Sequence, residues 1–233
     1  MSRLSEIKIS SPTTTDVIPT TGKKVKVRAF KVGDEKALLV AAQSQNDNEM
    51  VLTLKEVVSN CVEGDYDVNK LASADLEYLF IKLRAFSVGE ISDLVFTCDS
   101  CEAENKVKVD ITKIEIEKEQ KDPIIKVDDN FGFKMKFSDL EDIVKAEDGN
   151  TDDYIELIAR SIESIFYGDE IIEITDEEIP EVIRIINELT NKEFDKMLDF
   201  LKGQPKVVKD VKFDCVECEK HNERRLEGLA NFF

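Results

Sequence analysis

Apolar positions along this chain switch between a period of two and a period near 3.6, and the order of the switches runs twice. Val25, Val27 and Ala29 alternate with Lys24, Lys26 and Arg28, which predicts a half-buried strand. Asp34 to Gln43 then takes helical spacing, with Leu38 and Leu39 inward. Met50, Leu54, Val57 and Cys61 predict a second helix over 48–61, with Cys61 as core. A third starts at Ser73, a good N-cap, with Asp75 favouring the positive end of the helix dipole. Leu76, Leu79, Phe80 and Leu83 line its inner face, and it ends near Gly89. Leu94 and Phe96 predict a strand, and Val107, Val109 and Ile111 its return.

The second pass begins near Pro123. Phe131, Phe133, Met135 and Phe137 alternate with Gly132, Lys134 and Lys136, again a strand. Ser138 and Glu141 form a capping box for a short helix. Ile155, Ile158, Ile162 and Ile165 predict one amphipathic helix over 151–167. Residues 169–174 read as a short strand or an extended piece. Residues 177–189 read as an extra helix with Pro180 in its first turn, where a missing N–H costs little. Thr190 and Glu193 cap a last helix through Phe194, Met197, Leu198 and Leu201, and Val207, Val211 and Phe213 form a strand. Ahead of both passes, Ile7 and Ile9 alternate with polar residues until Ser11-Pro12-Thr13-Thr14-Thr15 breaks the pattern, so residues 1–20 read as an extended arm.

Each pass ends on the same motif. Cys98-x-x-Cys101-Glu-x-x-Asn105 recurs 117 positions later as Cys215-x-x-Cys218-Glu-x-x-Asn222, and Phe96 and Phe213 precede the two copies. Two such knuckles suit a tetrahedral site for one zinc ion on Cys98, Cys101, Cys215 and Cys218, with iron–sulfur ligation as the alternative. Four sulfurs leave no open position for water, so the site is structural. The separation is far longer than the spacing within a simple zinc ribbon, so the site clamps two half-domains together. Leu71, Asp75, Leu76, Leu79 and Phe80 also match Leu189, Glu193, Phe194, Met197 and Leu198 at a displacement of 118.

The expected fold class is therefore α+β. It comprises two similar helix-plus-hairpin lobes from an internal duplication, 21–120 and 121–233, joined by a zinc-ribbon-like four-cysteine site.

Composition narrows the function. With 233 residues, 42% hydrophobic and 35% charged, the chain reads as globular with a real core. A net charge of −18 argues against nucleic acid, whose binding rests on Lys and Arg. No stretch approaches the roughly 20 apolar residues of a membrane span. Met1 to Pro12 lacks the apolar core of a signal peptide, which points to a reducing cytoplasm and favours metal over disulfides. No Gly-rich phosphate loop and no Ser/His/Asp arrangement is visible, the single His221 reads as a surface imidazole, and a small-molecule substrate is not expected. The tail Leu226, Leu229, Phe232 and Phe233 has two readings: packing back on the chain, or inserting into a neighbouring subunit as aromatic anchors.

Several stretches resemble the baseplate protein family of T4-like contractile-tailed bacteriophages. They are Val27-Arg28-Ala29-Phe30, Asp34-Glu35-Lys36-Ala37-Leu38-Leu39, Asn60-Cys61-Val62, Asp75 to Phe80, and Leu83 to Glu90, continuing into Cys98 and Cys101. The resemblance implies a non-enzymatic protein of the baseplate hub or its assembly, binding other baseplate or hub proteins. It implies assembly in the host cytoplasm and a place in the tail baseplate. The competing readings are a zinc-ribbon regulator on RNA polymerase and a thiol oxidoreductase using one Cys-x-x-Cys.

Overall fold

A computed structural model describes residues 9–64, 66–119, 121–147 and 150–232. In the first half, β1 (Thr13–Val17) and β2 (Lys24–Arg28) form a hairpin, followed by α1 (Val32–Ser44) and α2 (Asp47–Cys61). The short β3 (Val62–Glu63) returns antiparallel to β2, giving the sheet order β1-β2-β3. Then come α3 (Ser73–Ser87) and the hairpin β4 (Ile91–Thr97)–β5 (Glu104–Asp110). Residues 13–17 are thus a sheet strand, where the sequence suggested a break within an extended arm. Three β-branched threonines tolerate the pleat, and β1 pairs along its whole length with β2.

Amphipathic stripes close this half. Leu54, Val58 and Cys61 of α2 meet Leu76, Leu79 and Leu83 of α3, and all six are almost fully buried. Burying each leucine contributes about 1.5–3 kcal/mol. Ala72, not Ser73, is the N-cap of α3. Asp75 is 1% exposed and accepts hydrogen bonds from the Thr20 backbone N–H and hydroxyl, so it ties the β1–β2 turn to α3.

The second half repeats this order. After β6 (Glu115–Glu117), β7 (Ile124–Lys126) and β8 (Phe131–Met135) form a hairpin, followed by α4 (Leu140–Glu147) and α5 (Thr151–Arg160). β9 (Ile162–Tyr167) returns antiparallel to β8. β10 (Glu170–Glu173) and α6 (Ile179–Asn187) come next, with no counterpart in the first half. α7 (Asn191–Lys202) and the hairpin β11 (Lys206–Asp214)–β12 (His221–Glu227) complete the chain's regular elements.

The single helix expected over 151–167 is instead a helix and a strand. Ser161 ends α5, donating its N–H to Leu157 O at 3.0 Å while its hydroxyl meets Ser138 Oγ at 2.7 Å. The β-branched and aromatic run that follows pairs with β8 on one side and β10 on the other. Gly168, at φ 60°, turns the chain between β9 and β10.

The halves share packing. β6 pairs with β11, although it lies within the segment 21–120. Leu140 and Val144 of α4 join the first half's core. A further cluster combines Ile81, Ala85, Leu94, Val109 and Ile111 with Val207, Val211, Leu226 and Phe232. Among the described residues no helix is long and apolar enough to cross a membrane.

Candidate metal centre

Both cysteine pairs sit at the tips of antiparallel hairpins, where the strand ladders close at Thr97–Glu104 and Asp214–His221. In the first tip, Cys98 N donates to Ala103 O at 2.9 Å and Glu102 N to Cys98 O at 3.1 Å. In the second, Cys215 N donates to Lys220 O at 2.9 Å and Glu219 N to Cys215 O at 3.0 Å. Glu102 and Glu219 hold φ of 60° and 59°, the left-handed turn each knuckle needs after its second cysteine. Neither pair stands at a helix N-terminus.

The turns aim all four sulfurs at one point. Their Sγ atoms lie within 4.8 Å of one another. Cys98 approaches Cys218 at 3.7 Å, and Cys101 approaches Cys215 at 3.6 Å. A tetrahedron with metal–sulfur bonds of about 2.3 Å has edges of about 3.8 Å, so the donor set and spacing fit a tetrahedral metal. Cys98 and Cys215 are buried, while Cys101 and Cys218 are exposed.

Local N–H groups favour thiolate on the buried pair. The Ser100 and Cys101 amides lower Cys98 to about 6. The Cys218 and Glu217 amides lower Cys215. On Cys101 the Ala103 amide pulls downward, but the neighbouring Cys218 and Cys215 sulfurs outweigh it and push the thiol up to about 12. Four sulfurs this close cannot all carry charge without a cation among them.

The asparagine of the repeated motif explains how two knuckles 117 positions apart stay in register. Asn105 Oδ1 accepts from Val216 N at 2.8 Å, and Asn222 Oδ1 accepts from Asp99 N at 3.1 Å. Each asparagine therefore braces the opposite knuckle. Each also donates to its own, Asn105 Nδ2 to Ala103 O and Asn222 Nδ2 to Lys220 O. The sequence carried a signal for this, since asparagine recurs in both copies, but its role needed the cross-hairpin contact.

Phe96 and Phe213 stack beneath the site, their ring centroids 5.6 Å apart. Arg224 bridges the hairpins outside it, donating to both oxygens of Asp99 at 2.8 and 2.6 Å and to Thr97 O at 2.6 Å. His221 is exposed, with Nδ1 2.9 Å from Asp214 Oδ1.

Two of the tail's apolar residues pack back on the chain. Leu226 and Phe232 are 4% and 0% exposed within the cluster shared by both halves. Phe232 O accepts from Ser92 Oγ at 3.1 Å. Leu229 is half-buried between two clusters. These side chains complete a core that β4, β5 and β11 leave open. Phe233 lies outside the described residues, as does most of the arm over Leu4 to Ile9; Ile9 itself is exposed.

No curated protein and no solved structure matches this chain. The family model described as "T4 bacteriophage base plate protein" matches residues 11–233, spanning every regular element of both halves and both knuckles. The chain therefore belongs to the T4 bacteriophage base plate protein family.

Proposed function

We propose that this chain is a non-enzymatic subunit that helps build the hub of a contractile-tail baseplate, with its two halves stapled by one structural zinc ion. The convergence of four sulfurs from two equivalent hairpins carries the zinc reading, and the family match supplies the baseplate context. Strand-flanked knuckles favour zinc over an iron–sulfur cluster, and a filled four-sulfur site serves structure rather than catalysis.

The halves derive from a duplication, which gives lobes of about 21–120 and 121–233. Three features support it: the shared order of hairpin, two helices, return strand, helix and hairpin; the repeated motif; and the reciprocal asparagines. Other baseplate or hub proteins are its partners, met in the host cytoplasm during assembly.

The test is co-expression with the other baseplate proteins of a contractile tail, followed by purification and elemental analysis. The expected result is a stable complex with at least one baseplate subunit and one zinc per chain. Co-purification with RNA polymerase instead, or a chain folded without metal, would overturn the reading.

A further inference from the structure

α1 is an apolar helix that the chain leaves largely uncovered. Ala41 is its one fully buried residue, and Leu38 packs partly against the first core. Val32, Leu39 and Val40 are 83%, 64% and 55% exposed, and Leu52 on the adjacent α2 is 54% exposed. Between the two helices runs a groove of about 360 Å³, with Ala37, Val40 and Thr53 on its walls and Lys36, Glu49 and Glu56 at its rim. Clustered apolar exposure of this kind marks interaction sites on soluble proteins.

The other half shows what a helix in this position does. α4 follows β8 as α1 follows β2. α4 docks on α2 and α3, sinking Leu140 and Val144 into the first core. Its flanking acids Asp139 and Glu141 reach Lys55 Nζ at 3.3 and 3.2 Å. α1 carries the same parts. Val32 opens it as Leu140 opens α4, and the exposed acids Glu49 and Glu56 line the groove beside one cation, Lys36.

We propose that the α1–α2 groove is a docking surface for a basic amphipathic helix of a partner protein. An apolar stripe would cover Ala37 and Val40, and flanking Lys or Arg would meet Glu49 and Glu56. A helix lying in a groove between helices is an established mode of recognition. The acidic rim disfavours a second copy, because two such faces repel. The inference deepens the assembly reading, and rests on it for the identity of the partner.

The test uses the intact zinc-loaded chain and two synthetic 18-residue peptides of one composition. One has a leucine stripe flanked by lysines in helical register, and the other is scrambled. Binding is followed by fluorescence anisotropy near physiological salt. The expected result is saturable binding of the amphipathic peptide, weakened about tenfold or more by Val40→Asp and by Glu49→Lys with Glu56→Lys. Glu170→Lys with Glu173→Lys on β10, a charge control, should leave it unchanged. Circular dichroism checks each variant's fold.

Equal binding of the scrambled peptide, or indifference to the groove variants, would overturn the proposal as general attraction to an acidic chain. So would a dimer that Val40→Asp dissociates, which would assign the groove to a second copy. A tenfold gain on deleting residues 1–8 would assign it to the chain's own arm and also overturn the proposal. Since only this chain and peptides are present, failure here leaves the baseplate assignment standing. Failure to co-purify baseplate subunits would strike that assignment alone.

Discussion

Asn105 and Asn222 exchange support across the cysteine cluster, each holding a backbone N–H of the opposite knuckle, at Val216 and Asp99 respectively. Both are 2% exposed, so neither has water as a substitute partner. Asn105→Ala or Asn222→Ala should each cost about 1–3 kcal/mol, the scale for a buried donor left unsatisfied. Metal affinity should fall about 10–100-fold, as for other groups that orient ligands. Chelator competition reads the affinity, and urea denaturation reads the stability. A double variant no worse than either single one would show that the two braces act as a unit.

Removing metal should loosen the join between the halves. At free zinc about 1,000 times Kd, binding adds about 4 kcal/mol of stability. For a chain this long, that corresponds to about 8–16 °C in Tm. Calorimetry before and after chelation measures the shift. Cys215→Ser with Cys218→Ser should reproduce the chelated value and respond no further to chelator.

The thiols should fall into distinct reactivity classes. Cys61 is 0% exposed and burial pushes it up to about 11, so it stays a neutral, enclosed thiol. In the chelated chain, maleimide should label the knuckle cysteines well before Cys61. Cys61 should react only on unfolding, as peptide mapping of timed samples can follow.

Asp142 predicts a pH effect of definite sign. It faces a polar cleft of about 520 Å³, also lined by Lys55, Lys136, Asp139, Glu141, Lys145, Arg160 and Asp176. Burial first, then Asp139, raises its carboxyl to about 6, against the pull of Arg160 and Lys145. A carboxyl raised on folding binds its proton more tightly in the native state. Its effect on stability therefore worsens as pH climbs from about 4 to about 6, and is complete above that. Asp142→Asn should be more stable than the parent at pH 7.5 by about 1–3 kcal/mol, and nearly equal to it at pH 4. Urea midpoints at the two pH values decide it.

Most of the helices were legible because their apolar residues keep one period to the end. Leu54, Val57 and Cys61 on α2, and Leu76, Leu79 and Leu83 on α3, are buried as their spacing requires. The junction at Ser161 was not. Ile158, Ile162 and Ile165 satisfy helical spacing, yet Ile162 and Ile165 belong to a strand. What separates them is a tertiary event, the buried Ser138–Ser161 hydroxyl contact and the pairing with β8, and no local window contains it. The convergence of the cysteines was legible from their repetition, whereas the asparagines' cross-bracing was not. Phe232 could be read as anchor or core from its neighbours in sequence, and only the space between β4 and β11 decides between them.

The four sulfurs also set an order of events. Cys98 and Cys101 leave the ribosome more than a hundred residues before Cys215 and Cys218. A chain interrupted between residues 101 and 215 holds only two of the four sulfurs, and its Asp99 N–H lacks Asn222. Closure of the site is thus a late, long-range event in folding. The cluster can therefore form only once both hairpins, more than a hundred residues apart in sequence, have met.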